Sequence, residues 1–246
     1  PLSSLVGVPI SGWLVAKFNS RKPLLISFLL FNFTLIWIGF ATSITSLLIG
    51  ICMFSFFMRI LNISINTQSI VLQNKYQKPI VGSFHGLWSL GGLMGVLFST
   101  LMVKWQVNIG VHFTGVGILT SILIVIAYFY SIKNDKSSTG NKIIFGKPDP
   151  FLLTLGLIIL LAAICEGGMF DWSGVYFKEV IKEDVFTLGY LSFMACMALS
   201  RFFSDKFIVR FGVKKTYLFS AITIQIGIFI AILLPFFWTA LLGFCM

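Results

Sequence analysis

The segment 46–73 is long and apolar enough to cross a membrane, yet it carries a regular stripe of polar side chains. The stripe recurs at alternating intervals of four and three residues, which is the period of one helix face. Its members are Ser55, Arg59, Asn62, Asn66, Ser69 and Gln73. A charged side chain near a bilayer centre costs at least about 2.5–3.5 kcal/mol on insertion scales. We therefore expect Arg59 to face a wet cavity rather than lipid, and the protein to use this internal polar path for solute transport.

The composition makes lipid the main solvent of this chain. Of its 246 residues, 57% are hydrophobic and 11% are charged, whereas about 25% are charged in ordinary soluble domains. The net charge of +10 could indicate a nucleic-acid partner, but the basic residues lie in short clusters between apolar segments, as the positive-inside rule predicts. We therefore expect a lipid bilayer, and no nucleic acid, as the partner of these charges.

The motifs of common enzymes and metal sites are absent from the sequence. It contains no P-loop, HExxH, GxSxG or EF-hand pattern, so we expect neither an enzyme nor a cofactor or metal. The four cysteines, Cys52, Cys165, Cys196 and Cys245, are isolated within apolar segments. They are predicted to be small buried hydrophobic side chains rather than disulfide partners.

The hydropathy pattern predicts an all-α integral membrane protein. The candidate helices cover roughly 3–16, 23–43, 46–73, 80–103, 110–132, 150–177, 186–204 and 216–234, and a ninth begins near 236. Their connections alternate in charge, and 13 of the 18 Lys and Arg residues fall in one set. That set is 17–22, 74–79, 133–149 and 205–215. Basic connections stay in the cytoplasm, so these four are predicted to be cytoplasmic, and Lys104 external, in an inner (plasma) membrane.

The longest connection, 133–149, is polar and rich in Lys, Ser and Gly, as is typical of a linker between domains. The basic turns KFNSRK at 17–22 and RFGVKK at 210–215 are similar to each other, which favours two related halves. We predict an N-terminal half-bundle at 1–132 that lacks its first helix, a linker at 133–149 and a truncated C-terminal half-bundle at 150–246. The chain is expected to be an internal part of a longer protein.

Both basic turns resemble the loop motif of the major facilitator superfamily, which runs roughly G-x-L-x-D-R-x-G-R-R. The first copy matches at Gly12, Leu14, Lys17, Arg21 and Lys22, but Ala16 stands at the Asp and Asn19 at the Gly. The second copy keeps Arg201, Asp205, Lys206, Arg210 and Gly212. In that family the loop latches the two halves in the outward-facing state. The resemblance therefore implies gating roles for Lys17, Arg21, Lys22, Arg201, Asp205 and Arg210, with solvated cytoplasmic loops as the alternative.

Two further segments, FHGLWSLGG at 84–92 and EGGMFDWSGVY at 166–176, resemble the YbjJ-like branch of that superfamily, which is related to sugar and fucose permeases. This resemblance covers nearly the whole chain. It implies a helical bundle that runs from the second to the tenth of twelve transmembrane helices. The first, fourth, seventh and tenth helices line the cavity in this fold, so 46–73 would be the fourth helix and 150–177 the seventh.

Glu166 is the predicted proton-coupling residue, together with Asp171. Glu166 lies about 16 residues, or roughly 24 Å, into its predicted helix, and Gly167 and Gly168 follow and weaken a helix there. Broken helices near the midplane free carbonyls that bind solute or ions, and a carboxylate in such a place can carry a proton. A structural role, in which Glu166 pairs with Arg59 or with backbone donors, is equally compatible with the sequence. An interfacial position is the favoured alternative for Asp171.

The predicted substrate cavity consists of Ser55, Arg59, Asn62, Asn66 and Trp88. Arg59 can bind an anionic group, and the amides of Asn62 and Asn66 suit hydroxyl-rich solutes because they both donate and accept hydrogen bonds. The alternative for the two Asn residues is interhelical hydrogen bonding. Four glycines spaced along 80–103, Gly82, Gly86, Gly91 and Gly95, predict close helix packing, and His85 is expected to be packed rather than a proton relay.

Together these features predict a secondary transporter that moves a small polar solute by alternating access, with a sugar-like solute favoured. Protons are the candidate energy source, which would make it a symporter, and the protein is expected to act as a monomer. Two alternatives stay open. One is a non-transporting membrane sensor or assembly protein, and the other is a truncated fragment without activity of its own.

Overall fold

The computed structural model describes residues 2–133, 135, 149–182 and 187–246, and this part of the chain consists of helices and short connections without strands. The helices are α1 (Leu2–Phe18), α2 (Arg21–Gly39), α3 (Ile44–Tyr76), α4 (Val81–Lys104), α5 (Ile109–Tyr130), α6 (Pro150–Val175), α7 (Thr187–Phe211), α8 (Val213–Leu233) and α9 (Phe237–Cys245). A π-helical turn, Tyr176–Val180, extends α6. The predicted all-α membrane fold is confirmed, and each predicted helix is present.

Helix α7 is longer than the segment 186–204 predicted from the sequence. It continues beyond 204 to Phe211, so most of the predicted connection 205–215 is helical. Charged side chains do not end a helix, whereas Gly212, at φ 80°, adopts a backbone conformation that side-chain-bearing residues rarely reach and separates α7 from α8.

Six of the described helical segments are long and apolar enough to cross a membrane: Arg21–Gly39, Ile44–Tyr76, Val81–Lys104, Ile109–Tyr130, Pro150–Val180 and Val213–Leu233. Burial supports the same conclusion. Large apolar side chains such as Leu119, Ile159 and Phe229 are more than half exposed, whereas small polar side chains such as Ser64 and Thr34 are buried. This distribution reverses that of a soluble protein and indicates lipid around the helices.

The chain forms two compact units. The first draws on Pro1–Lys78 and Phe98–Phe145, and the second on Pro79–Leu97 and Gly146–Met246. The amino-terminal part of α4 is therefore grouped with the helices that follow residue 146. The predicted halves, 1–132 and 150–246, remain a prediction, and most of the predicted linker 133–149 lies outside the described residues.

In the first unit α3 packs against α1 and α2, and α2 also packs against α5. Asn32 is a buried polar link between α2 and α5. Its amide nitrogen lies within hydrogen-bond distance of the Gly117 carbonyl and of the Thr120 and Ser121 hydroxyls, at 2.9–3.2 Å. Such bonds hold helices together where apolar side chains gain little by leaving lipid.

In the second unit the apolar core is formed by Phe177, Ala231, Ala240 and Phe244. Phe177, in the π-helical turn, is fully buried, and a Cβ on Gly189 would lie 2.3 Å from its ring. Only a glycine therefore allows α7 to approach this ring so closely.

The prediction for the cysteines was wrong. Cys196 of α7 and Cys245 of α9 form a disulfide, and Cys52 and Cys165 are exposed rather than buried. The two partners are 49 residues apart in sequence, so spacing alone gave no sign that the helices bring them together.

Candidate functional site: polar contacts between α4, α6 and α7

Arg201 links three helices of the second unit. From α7, its Nη1 donates to the Ser89 hydroxyl of α4 at 2.6 Å, and its Nη2 donates to Oε1 of Glu166 on α6 at 2.9 Å. Ser89 is buried, whereas the Arg201 and Glu166 side chains are 25% and 42% exposed. Charged side chains inside a membrane are usually compensated in this way, and such pairs often lie on ion or substrate pathways.

Asp205 lies four residues further along α7 and closes the amino end of α4. Its Oδ1 accepts from the backbone N–H of Gly82 at 3.1 Å, and its Oδ2 accepts from the N–H and the hydroxyl of Ser83 at 2.7 and 2.6 Å. The first N–H groups of a helix have no partners within the helix, and Ile80, which precedes α4, offers no polar side chain. A buried carboxylate at the positive end of the helix dipole fills that role.

Two glycines let α4 and α7 approach each other at this point. A Cβ on Gly82 would lie 2.1 Å from Oγ of Ser204, and one on Gly86 would lie 2.9 Å from the ring of Phe202. The predicted close packing is correct at these two positions. It is wrong at Gly91 and Gly95, where no described atom comes within 4 Å of an added Cβ.

We call the contacts of Arg201 and Asp205 with α4 the α4–α7 clasp. Its two charged residues are about one helical turn apart and lie on one face of α7, and the Phe202–Gly86 contact lies between them. Loss of charge at Asp205 would weaken the cap of α4, and loss of charge at Glu166 would remove the counter-ion of Arg201.

The partner of Glu166 is thus Arg201 and not Arg59, the partner considered from the sequence. Arg59 of α3 donates from Nε to the Ser4 hydroxyl of α1 at 3.0 Å, and its Cβ and Cγ pack close to Gly7. Among the described residues, neither of the two ion pairs includes Arg59. Its charge therefore has no carboxylate partner in that part of the chain.

The other predicted cavity residues differ in exposure. Ser55 and Asn62 are half-buried, whereas Asn66 and Trp88 are exposed. His85 is also exposed, so the expectation of a packed side chain was wrong. Asp171 is exposed beside Trp172, and its carboxylate is not seen to accept a hydrogen bond from another described residue.

The helix around Glu166 is not broken. α6 runs without interruption through Gly167 and Gly168 to Val175, which contradicts the predicted break. A glycine lowers helix stability by only about 1 kcal/mol relative to alanine, which the rest of a long helix can tolerate. The irregular segment is the π-helical turn Tyr176–Val180, and turns of this kind are frequent near functional sites.

Of the gating residues predicted in the first loop motif, Arg21 makes the most extensive contacts. Its guanidinium lies 3.8 Å from the ring centroid of Tyr128, and its Nε donates to the Tyr128 carbonyl at 2.7 Å. Lys17 lies over the ring of Trp13, and Lys22 is exposed. In the second motif Arg210 is exposed and lies 5.4 Å from the ring centroid of Phe211.

A polar cluster in the first unit, formed by Ser20, Gln68 and Asp135, was not predicted from the sequence. Asp135 accepts from the backbone N–H and the hydroxyl of Ser20 and from the amide of Gln68 at 3.2 Å. Gln68 also exchanges hydrogen bonds with the backbone of Ile132. The cluster holds the chain after α5 against the α1–α2 turn, where the loop motif lacks its own Asp. The sequence carries no clear signal for this cluster, because Ser20 lies within the polar turn 17–22 and Gln68 lies between Thr67 and Ser69.

Groups of three or more His, Cys, Asp or Glu residues that could hold a metal ion do not occur among the described residues.

The sequence profile of the Major Facilitator Superfamily matches residues 1–246. The chain is 25% identical over 238 residues to an uncharacterised transporter of Sinorhizobium fredii, covering 94% of this chain and 62% of that protein. It is 24% identical over 248 residues to an uncharacterised MFS-type transporter of Yersinia pestis, covering 99% and 64%.

A third relative is the membrane protein MosC of Rhizobium meliloti, 26% identical over 249 residues, with 99% of this chain and 60% of that protein covered. The chain thus spans less than two thirds of the length of each of these relatives. No solved structure matches it significantly.

Proposed function

Because this chain belongs to the Major Facilitator Superfamily, we propose that the full-length protein is a secondary transporter that moves a small polar solute by alternating access. The α4–α7 clasp is the observation that carries this proposal. It combines the helix cap made by Asp205 with the hydrogen bond from Arg201 to Ser89, both from one face of α7, and both are reversible polar contacts. A transporter needs contacts of this kind, because each must form in one state and break in the other.

Asp205 acts as the latch in this proposal. Its carboxylate stabilises α4 only while α7 lies against the amino end of that helix. Movement of α7 away from α4 would expose the N–H groups of Gly82 and Ser83 and require water to replace the carboxylate. The cost is moderate, on the order of 0.5–2 kcal/mol for a helix cap, which suits a contact that opens in each cycle.

Glu166 carries the coupling proton in this proposal. When Glu166 is ionised it holds Arg201 by a charge-assisted hydrogen bond, and protonation would remove half of that ion pair. Glu166 is partly exposed, so a proton would reach it if that exposed side faces the transport pathway. Because Arg201 also contacts Ser89 of α4, the protonation state of Glu166 would bias the clasp.

The solute is a small hydroxyl-rich molecule, such as a sugar or a sugar acid. Arg59 lacks a carboxylate partner among the described residues, so it is suited to an anionic or strongly accepting group of the solute. Ser55, Asn62 and Asn66 share one face of α3 with Arg59, and their side chains both donate and accept hydrogen bonds. The resemblance to the YbjJ-like branch favours the same class. We further propose that the protein acts as a monomer in the inner membrane with the linker 133–149 in the cytoplasm.

The direct test uses the full-length protein in proteoliposomes that contain a pH-sensitive dye. Neutral sugars and sugar acids are added one at a time, and internal acidification is recorded for the wild type and for Arg59→Gln. We expect one class of solute to drive acidification in the wild type and Arg59→Gln to lose it. Absence of both acidification and solute counterflow across the whole panel would favour a membrane sensor or assembly protein instead.

A further inference from the structure

The first unit contains an apolar groove that the transport proposal does not use. It lies between α1, α2 and α3, has a volume of about 440 Å³, and is lined by side chains that include Leu14, Phe18, Ile26, Leu30 and Phe57. Ile26 and Leu30 are exposed, so the groove opens to the surface. Ser27 also lines the groove, but its hydroxyl already donates a hydrogen bond to the Leu24 carbonyl. The interior therefore favours an apolar occupant.

The depth of the groove matches one leaflet of a membrane. Its lining on α2 begins at Lys22 and ends at Leu30, eight residues later, which corresponds to roughly 12 Å along a helix. One leaflet contributes about half of the roughly 30 Å hydrocarbon core. An occupant that enters beside Lys22 would thus lie within a single leaflet.

The mouth of the groove is positively charged. Lys22 is the one charged residue among the described residues that line it, and Lys17 lies nearby with its Nζ 5.2 Å from the ring centroid of Phe18, which also lines the groove. Neither lysine takes part in an ion pair within the described ranges. Arg21, in contrast, is engaged by Tyr128. Neither lysine is neutralised by a described carboxylate, so the charge of both is available to an anion, although Lys17 also lies over the ring of Trp13.

We propose that this groove binds one acyl chain of an anionic phospholipid, whose phosphate is held by Lys22 and Lys17. The apolar lining accounts for the chain, and the two lysines account for the charge of the headgroup. A transmembrane helix is a poor alternative, because it is about 10–12 Å wide and about 30 Å long, more than this groove accommodates. A polar solute is a poor alternative because the interior offers no free polar group to orient it.

The test measures lipid retention by the purified full-length protein. The protein is delipidated in detergent and titrated with phosphatidylglycerol or with phosphatidylcholine of identical chains, and bound lipid is counted by native mass spectrometry. We expect one phosphatidylglycerol molecule to bind tightly and phosphatidylcholine to bind much more weakly. Equal retention of the two lipids would overturn the proposal, as would full displacement of phosphatidylglycerol by inorganic phosphate.

Matched variants separate the headgroup from the chain. Lys17→Gln combined with Lys22→Gln should lower phosphatidylglycerol affinity roughly 30-fold, as expected from the attraction of two lysines to an anionic lipid. Lys75→Gln combined with Lys78→Gln removes two exposed lysines elsewhere and should change the affinity less than twofold. Ile26→Trp, at an exposed position of the lining, should fill the groove and reduce binding while both lysines remain.

Unchanged binding by Ile26→Trp would mean that the lysines attract lipid without the groove, and the proposal would then be wrong. If the two double lysine variants lost phosphatidylglycerol affinity equally, the lipid would be attracted by positive charge in general, and the proposal would be wrong as well.

Discussion

Asp205 completes the amino end of a helix that lies 122 residues earlier in the chain, since its Oδ2 accepts hydrogen bonds from the N–H and the hydroxyl of Ser83 at 2.7 and 2.6 Å. The stability of the first turn of α4 thus depends on α7. Arg201, one turn earlier on α7, joins the same helix α4 to Glu166 through Ser89. A movement of α7 would therefore change the latch and the ion pair together.

Asp205→Asn should loosen the first turn of α4. The amide cannot supply two ionised oxygens to the N–H groups of Gly82 and Ser83, and loss of a cap costs on the order of 1 kcal/mol. Amide hydrogen exchange of Gly82 and Ser83 in the full-length protein should accelerate roughly 5- to 10-fold.

The matched control for this variant is Asp149→Asn. Asp149 caps α6 by accepting from the N–H of Phe151 at 2.7 Å. One acceptor oxygen is enough for this cap and asparagine keeps it, so the substitution should leave exchange at both Phe151 and Gly82 nearly unchanged. If the Asp205 variant exchanged at Gly82 as slowly as the wild type, the cap would not hold α4.

Gly86→Ala should destabilise the protein, whereas Gly91→Ala should not. The added methyl group at Gly86 would meet the Phe202 ring at 2.9–3.1 Å, and crowding of this kind costs typically about 1–3 kcal/mol. At Gly91 the space is open among the described residues, and alanine favours the helix by up to about 1 kcal/mol. Thermal unfolding of the two variants in detergent compares them directly, and equal melting temperatures would contradict the close approach of α4 and α7.

Much of the fold was predictable because it depends on local sequence. Long apolar segments separated by short connections give each helix to within a few residues, except where α7 continues to Phe211. The polar stripe of α3 was also visible as a helical period. Its contacts were not, because periodicity shows which residues share a face and not which helix lies opposite that face.

The site was less predictable because its contacts join distant parts of the chain. Glu166 and Arg201 were both named, but the sequence suggested Arg59 as the partner of Glu166, whereas the structure has Arg201 there. Asp135 was missed because its partners, Ser20 and Gln68, are 115 and 67 residues away. The prediction for Cys196 and Cys245 failed for the same reason.

The cysteines should divide into two classes. Alkylation of the denatured protein before reduction should modify Cys52 and Cys165, and a second reagent added after reduction should modify Cys196 and Cys245, because the latter pair forms a disulfide. Peptide mass spectrometry distinguishes the two labels. If Cys196 carried the reagent added before reduction, the disulfide would be absent from the purified protein.

Membrane orientation follows from the distribution of basic residues and stays a prediction. A cysteine introduced at position 140, in the linker, should resist an impermeant maleimide in intact cells, whereas one at Lys104 should react. Permeabilised cells provide the control, because both positions should then react. Strong labelling at 140 in intact cells would show that the predicted orientation is wrong and would remove the basis for the predicted halves.

Glu166→Gln should abolish pH-driven uptake by the full-length protein and leave solute exchange largely intact. Glutamine keeps the shape of the side chain and can accept a hydrogen bond from Arg201, but it cannot gain or lose a proton. Proteoliposomes measure both activities with the same preparation. Glu179→Gln is the matched control, because the Glu179 side chain is 65% exposed and contacts Lys178, and it should retain both activities.

A purely structural ion pair predicts a different outcome for the same variants. Glu166→Gln would then leave Arg201 without its counter-ion and lower both expression and melting temperature. The loss of unfolding free energy would be less than the roughly 3–5 kcal/mol of a fully buried pair, because both side chains are partly exposed. Adding Arg201→Met would restore stability in that case, because it removes the unpaired charge. Under proton coupling the double variant would gain no stability and would still lack pH-driven uptake. Normal pH-driven uptake by Glu166→Gln alone would eliminate the coupling role of this carboxylate.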